Sequence, residues 1–440
     1  MLREIAYAVL GLVLALYAAD LALGLGDDAR KPPRLRARVP LVGHLLGLMR
    51  RGVSYFSETS ARTGGGVEVY TLGIPHYKLY ICNSNRLMPF IQKSARTVSF
   101  KPFIRRRCGR TAAARTTLKH NLAPGPHLEE QNLRMGNRVM VDIDALLSNT
   151  GEGRAKQVFL LDWARHAVVQ ASSCGVYGAN HPFIKREVED AYWKWQSWIP
   201  AHLAGLDPLG TGYAARDMVY DEYLEYLKAM PEDVGLVIKE RVRVMRDAGL
   251  SGEDIARLES GFPTAVFGNT TPTLFWTIWE LFSRDGVLAA VRREVEAQPV
   301  AVTEGGRFEL DVGALKHRCP LQLSVYQETQ RRRHVHANIR KVLADTVLDG
   351  RYLLKAGNYL QMPGAPIHGS EEIWGATADE FDRYRFVDNG GNKSGSNSAF
   401  LAWGAPPHLC PARQFASTEL LIIIALLAMR ADLRPVSAAG

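Results

Sequence analysis

With 440 residues, 47% of them hydrophobic, the chain can bury a large core, and it shows neither a repeat of roughly 20 to 50 residues nor a long low-complexity tract, which argues against solenoids and disordered scaffolds. Its formal charge of +9 is spread along the sequence, which fits the solvated surface of one globular body better than a nucleic-acid partner. Five scattered cysteines (Cys82, Cys108, Cys174, Cys319 and Cys410), with no CxxC pair, argue against a disulfide framework or a zinc site and fit a reducing, cytosol-facing environment.

From Ile5 to Leu25 the chain is apolar except for Asp20, and a helix over this stretch would reach about 30 Å, one hydrocarbon thickness. Residues 1–26 therefore read as a single-pass membrane anchor. Asp20 lies near its C-terminal end, where a carboxylate costs less than the roughly 2.5 to 3.5 kcal/mol of the bilayer centre. Arg30, Lys31, Arg34, Arg36 and Arg38 follow it, against Arg3 alone before it, so the positive-inside rule turns the body toward the cytosol. A cleaved signal peptide is the other reading, but it suits a shorter apolar core and an oxidising destination. Pro32, Pro33 and Pro40 make residues 27–40 a stiff, basic linker, with the folded body, residues 41–440, beginning near Leu41.

Further along, residues from about Ile255 to Phe282 form a long apolar stretch of helical period, interrupted by Pro263 and by Gly268-Asn-Thr-Thr-Pro272. Pro272 removes the N–H that would bond to Gly268, which predicts a bulge or kink. Glu328 and Arg331 stand one turn apart on a helix, a spacing that is common and contributes only about 0.2 to 0.5 kcal/mol on a solvated face. The run from Ile339 to Gly357 alternates apolar and polar residues around Gly350, as a small hairpin should. After His368, Trp374-Gly375 and Phe381-Asp-Arg-Tyr-Arg385-Phe386 comes Phe400-Leu-Ala-Trp-Gly-Ala-Pro-Pro-His-Leu-Cys-Pro-Ala-Arg413. This Gly/Pro-rich loop sets Cys410 before a long apolar helix expected from Pro411, at the first helical position, to about Arg430. A thiol at a helix N-terminus is pushed toward thiolate, and a metal pushes it further.

In this order and spacing the segments resemble the cytochrome P450 superfamily, whose haem loop carries an aromatic residue seven positions before the cysteine ligand and a basic one two before. Trp403 and His408 take those places. The resemblance implies a mainly α fold with smaller β-sheets (α+β), preceded here by the N-terminal transmembrane helix. It makes Cys410 the axial ligand of haem b, His408 and Arg340 partners of the haem propionates, and Gly404 part of the cofactor loop. Glu328, Arg331 and Arg385 would interlock as a buried network, and Asn269, Thr270 and Thr271 would stand on the oxygen side. With Trp276 setting the register, Asn269 takes the position that most members give to threonine; a shifted register gives it to Thr271.

Gly268-Asn-Thr-Thr-Pro-Thr-Leu-Phe-Trp276 is similar to the branch of sterol 7-alpha- and 12-alpha-hydroxylases and prostacyclin synthase, and the general texture is similar to fungal secondary-metabolism members. Departures are Trp403 for the usual Phe, Pro406 and Ala412 for glycines, and Arg383 at a usual proline. Arg105, Arg106, Arg107, Arg110 and His120 lie near the expected propionate-binding helix, but without its W-x-x-x-R. Members also usually carry a further hairpin after the last helix. The implied activity is oxidation of a lipophilic small molecule by a monooxygenase on the endoplasmic reticulum membrane, with an NADPH-cytochrome reductase as electron donor. A haem-thiolate isomerase, an oxidative-coupling enzyme and a haem binder without turnover are the alternatives.

Overall fold

The computed structural model describes the chain apart from most of residues 1–27, residues 104–111, 149–155, 303–307, 334–336, 388–398 and 437–440, and the single positions 41, 65, 75, 76, 204, 285 and 299. It has two compact units. One comprises Met1–Arg106, Gln330–Phe381 and Lys393–Cys410; the other comprises Arg107–Thr329, Asp382–Asn392 and Pro411–Gly440.

Ten strands are described: β1 (Arg34–Leu35), β2 (Val69–Ile74), β3 (Tyr77–Cys82), β4 (Val98–Ser99), β5 (Val300–Val302), β6 (Phe308–Leu310), β7 (Ala337–Val342), β8 (Thr346–Leu348), β9 (Tyr352–Leu354) and β10 (Tyr359–Pro363). The first unit is built on a six-stranded sheet of order β1-β2-β3-β10-β7-β4. β2 and β3 are antiparallel with Thr71 opposite Tyr80, β3 and β10 are parallel, and β10 and β7 are antiparallel with Leu360 opposite Arg340. Tyr55 and Phe56 of the Ser54–Ala61 helix close a core with Tyr70, Leu72, Ile74, Leu79 and Ile81. His44 is buried in this unit without charge stress, because one ring nitrogen meets the Tyr55 hydroxyl at 2.9 Å and the other meets the Leu35 carbonyl at 2.8 Å. The expected hairpin is β8–β9, and Asp349 and Gly350 both take positive φ (52° and 66°) at the centre of its turn, which the Arg351 N–H closes by donating to the Leu348 carbonyl (3.0 Å).

The proline-rich stretch is extended, as its composition requires, but it is also stitched into this unit. Thr71 donates its N–H to the Pro33 carbonyl (2.8 Å) and its hydroxyl to the Pro32 carbonyl (2.9 Å), while Leu353 N–H donates to the Arg30 carbonyl (2.8 Å). Proline lacks a donor yet keeps its acceptor, so such a segment can still edge a sheet. The expected anchor from Ile5 to Leu25 falls largely outside the described residues. Among the described residues, no helix is long and apolar enough to cross a membrane.

The second unit is helical, apart from the β5–β6 pair. Its centre is a packing of Pro126–Leu147, Leu160–Tyr177, Phe262–Phe282 and Arg413–Arg430. The last of these is apolar nearly all round, with Leu420 to Ala425, Leu427 and Ala428 buried, the signature of a core helix. Gly175 permits a close helix crossing, since a Cβ there would lie 2.8 Å from Met135 Cγ. Glu419 is fully buried beside Ser172, which donates to it at 2.7 Å, and burial pushes its pKa up to about 8. Glu294 caps the Pro320–Arg333 helix by accepting the Leu321 and Gln322 N–H groups, each at 2.8 Å. Those amides have no partner within their own helix.

The long apolar stretch differs from its expected form. It divides at Gly261 into the Gly252–Ser260 and Phe262–Phe282 helices, with Pro263 in the first turn of the second, where its missing donor is harmless. Pro272, where a bulge or kink was expected, lies inside the Phe262–Phe282 helix, which continues past it. Threonine hydroxyls feed the carbonyls around it: Thr270 donates to Val266, Thr273 to Asn269 and Thr277 to Thr273, at 2.6, 2.9 and 2.8 Å. Side-chain donors of this kind satisfy backbone acceptors near a proline without ending the helix.

In the first unit, His368 is held as a neutral ring. Its Nδ1 lies 3.1 Å from the Arg331 carbonyl, which can only accept, and its Nε2 lies 2.9 Å from the Leu401 N–H, which can only donate. Burial pulls its pKa down to about 4 from an ordinary 6.5. Because the folded pKa is depressed, His368 favours the folded state fully above about pH 6.5, and this contribution is lost as pH falls toward 4. We therefore expect urea unfolding of the wild-type chain to lose up to about 1.4 kcal/mol per pH unit through this window from His368 alone. A His368→Gln chain should lack that component; an identical acid slope in both would refute the neutral-ring assignment.

Candidate functional site

Cys410 closes a run of turns in the first unit. Gly404 N–H donates to Leu401 O (2.9 Å), His408 N–H to Ala405 O (3.1 Å) and Cys410 N–H to Trp403 O (2.9 Å). Gly404 has φ +90°, and a Cβ on it would come within 3.0 Å of the His408 carbonyl, so glycine is required on both counts. The loop thus turns on Gly404, with prolines at the following positions 406 and 407. The helix begins at Arg413, two residues later than expected, because Ala412 (φ −89°, ψ 9°) lies outside helical geometry and Pro411 stays in the turn.

The other described thiols are poorer ligands. Burial pushes Cys82 and Cys319 up to about 12 and also raises Cys174. Cys108 lies outside the described residues, as do Arg105, Arg106, Arg107 and Arg110, while His120 ends the Ala112–Asn121 helix as an exposed residue. Cys410 is partly exposed.

Arg340 stands on β7, 3% exposed. Among the described residues its guanidinium donates to carbonyl oxygens alone, those of Ile339 and Ala405, each at 2.8 Å, and it lies 5.7 Å from the centre of the Phe100 ring. Among the described residues no carboxylate faces it, and burial alone pulls its pKa down to about 10. A buried cation without a counter-ion is costly unless an anion is to be bound. The His408 ring lies 6.3 Å from the same Phe100 ring. Two residues before Arg340, and so on the same strand face, Asn338 presents a buried Nδ2 with no hydrogen-bond partner among the described residues. A cysteine on a tight loop, a buried cation seeking an anion and an orphaned amide donor in one unit fit an iron porphyrin with carboxylate edges. Sequence reasoning missed Asn338 and Phe100, although strand parity with Arg340 was a usable signal for the former.

The charged residues expected to interlock are all buried: Glu328 at 0%, Arg331 at 1% and Arg385 at 6% exposure. In the second unit, Arg385 Nε donates to Glu328 Oε1 at 3.1 Å, and Asp382 N–H shares that oxygen at 3.2 Å. In the first unit, Arg331 donates to the carbonyls of His368 (2.6 Å), Ala378 (2.8 Å) and Glu380 (3.1 Å). Glu328–Arg331 is therefore no solvated surface pair.

On the Phe262–Phe282 helix, Asn269 is exposed, with its amide 3.4 Å from the Ala265 carbonyl. Thr270 is buried and spends its hydroxyl on Val266 O. Thr271 is buried too, and its Oγ1 has no partner among the described residues.

Comparison with known proteins agrees with this chemistry. The family description "Cytochrome P450" matches residues 235–435. The chain is 31% identical to a cytochrome P450 monooxygenase, nodJ, of Hypoxylon pulicicidum, over 93% of this chain and 84% of that protein. It is 25% identical to a cytochrome P450 monooxygenase of Gibberella zeae, over 93% and 82%. Similarity to the cytochrome P450 monooxygenase poxD of Penicillium oxalicum, at 23% identity, spans all of this chain and 94% of that one.

Removing one partner of a buried ion pair strands the other, at a cost of about 3 to 5 kcal/mol. Glu328→Ala should consequently fail to accumulate as folded protein, whereas Glu328→Gln, which keeps an acceptor for Arg385 and Asp382, should accumulate at reduced yield. Recovery of soluble, normally folded Glu328→Ala at wild-type yield would show that the pair carries no such load.

Proposed function

The chain belongs to the cytochrome P450 family, and from that membership we propose that it oxidises a lipophilic small molecule, of secondary-metabolite or terpenoid-like character, with electrons from an NADPH-cytochrome reductase. It is an oxidoreductase of the monooxygenase type whose cofactor is haem ligated by a cysteine thiolate. Cys410 is the ligand in this reading. The observation that carries the assignment is the turn set on Gly404, which holds this thiol in the same loop whose Ala405 carbonyl receives the uncompensated Arg340 cation.

When bound, a thiolate-ligated haem supplies oxygen activation, since the electron-rich sulfur favours O–O cleavage. The chain's own residues bind and orient. Arg340 would neutralise the carboxylate edge of the cofactor, where a buried guanidinium is worth more than it would be in water, and His408 would face that edge. Asn269, Thr270 and Thr271 serve the oxygen side. The Asn269 amide can donate a hydrogen bond from an exposed position, but it cannot relay a proton as an acid and alcohol together do. Gly268 supplies no acid beside it. That pairing favours isomerisation or oxidative coupling as the second reading.

We further propose that residues 1–26 anchor the protein in the endoplasmic reticulum membrane with the catalytic body toward the cytosol. The apolar run supports it, as do the exposed Tyr7, Leu10 and Leu14 and the basic residues that follow.

Two measurements check these assignments. Cys410→Ser should abolish the thiolate-type Soret band of the reduced carbon monoxide complex, and substitution of any other cysteine should leave it; a wild-type spectrum from Cys410→Ser would overturn the ligand assignment. With reductase and a turned-over substrate, Asn269→Ala should raise peroxide released per NADPH by several-fold, on the order of one lost hydrogen bond, and Thr271→Ala should change it much less. The opposite ranking would hand the oxygen-side role to Thr271, and NADPH use without coupled oxygen uptake would favour the second reading.

A further inference from the structure

We propose that Asn338 is a further cofactor-binding residue, whose side-chain amide donates a hydrogen bond to a carboxylate at the edge of the haem beside Arg340. The inference rests on the haem-thiolate reading above. It starts from an accounting of donors. Asn338 Nδ2 is buried and has no acceptor among the described residues. An amide N–H left in that state costs about 1 to 3 kcal/mol, so a fold that keeps one within reach of a binding loop gains from an arriving acceptor.

The strand fixes where that donor points. Asn338 is paired with Met362 and Arg340 with Leu360 in the same antiparallel register, so the two side chains leave one face of β7. Arg340 is the buried cation that meets only carbonyl oxygens. Asn338 Oδ1 in turn packs toward the Cys410 loop, 3.4 Å from where a Cβ on Gly404 would lie. Nδ2 is the end of the amide that has no partner among the described residues, and it leaves the same strand face as a guanidinium that meets no anion among them. Both groups offer only N–H, and the species that satisfies a guanidinium and an amide N–H together is an acceptor with several lone pairs, such as a carboxylate. Haem carries such groups at its edge, and the loop that packs on Asn338 is the one that presents the iron ligand.

The test compares two near-isosteric changes in the haem-loaded, full-length chain: Asn338→Leu, which deletes the donor, and Asn338→Asp, which keeps the shape and replaces the donor by an anion. Haem transfer to excess apomyoglobin is the readout, with the thiolate-type Soret band as the check that iron ligation persists. Asn338→Leu should lose haem about fivefold faster than wild type, the equivalent of one hydrogen bond. Asn338→Asp should lose it faster still, by about tenfold at pH near 8, and should recover toward the wild-type rate near pH 6 if the carboxyl is held protonated beside the haem edge. A residue that merely packs gives the opposite order, with the isosteric Asp tolerated and Leu impaired. That order, or rates within about twofold of wild type in both variants, overturns the proposal. A wild-type chain that takes up no thiolate-ligated haem would sink the underlying reading instead, a result that does not depend on position 338.

Discussion

A guanidinium withdrawn from water has to be surrounded by acceptors, and the organisation of the first unit follows from how Arg331 meets that demand. Its acceptors are the carbonyls of His368, Ala378 and Glu380, which lie in a stretch with little regular structure. Those carbonyls would otherwise need water or a ladder partner. The same contact passes onward. His368 returns a hydrogen bond to the Arg331 carbonyl and accepts one from Leu401, Leu401 accepts from Gly404, and the residue just before Gly404, Trp403, accepts from Cys410. A continuous path of backbone and side-chain hydrogen bonds therefore runs from the end of a helix to the cysteine loop, and each link is buried or half-buried.

The second unit solves the equivalent problem with an ion pair. Glu328 has no water to share, and its Oε1 serves both Arg385 Nε and the Asp382 amide, while Ser324 on the same helix accepts from the Phe386 amide. Two helix turns thereby tie down a loop segment that has little apolar content of its own. Buried pairs of this kind add little net stability over an apolar pair, yet they permit only one register, because a slipped loop would leave a charge unmatched.

Much of this was legible from residue order because the governing constraints are local. The β8–β9 hairpin needed an Asp-Gly turn and had one. The core helix after Cys410 announced itself by an unbroken apolar run, and Gly404 by its place in a tight loop. What stayed hidden depended on long-range placement. Burial of Glu328 and Arg331 cannot be read from their i,i+3 spacing, and the choice of carbonyls by Arg331 depends on residues about 40 to 50 positions away. That the helix runs on past Pro272 also had to be seen, because the threonine hydroxyls that serve its carbonyls are visible only once the helix is built. Spacing from Trp276 could single out Asn269 but not its surroundings: its side chain is exposed, whereas Thr271 is buried with a hydroxyl that has no partner among the described residues.

The stitching of Arg30, Pro32 and Pro33 to the sheet bears on self-association. β1 and β4, at the two ends of the six-stranded order, are each only two residues long, and β1 is preceded by residues that offer carbonyls but, at the prolines, no N–H. A short border that cannot donate is a poor template for a second chain. If the segment through Leu35 were pulled away, β2 would become the border, six residues of mostly buried apolar side chains with a row of unsatisfied amides. The basic, proline-rich stretch thus acts as a guard against edge-to-edge aggregation, a duty quite separate from its stiffness as a connector.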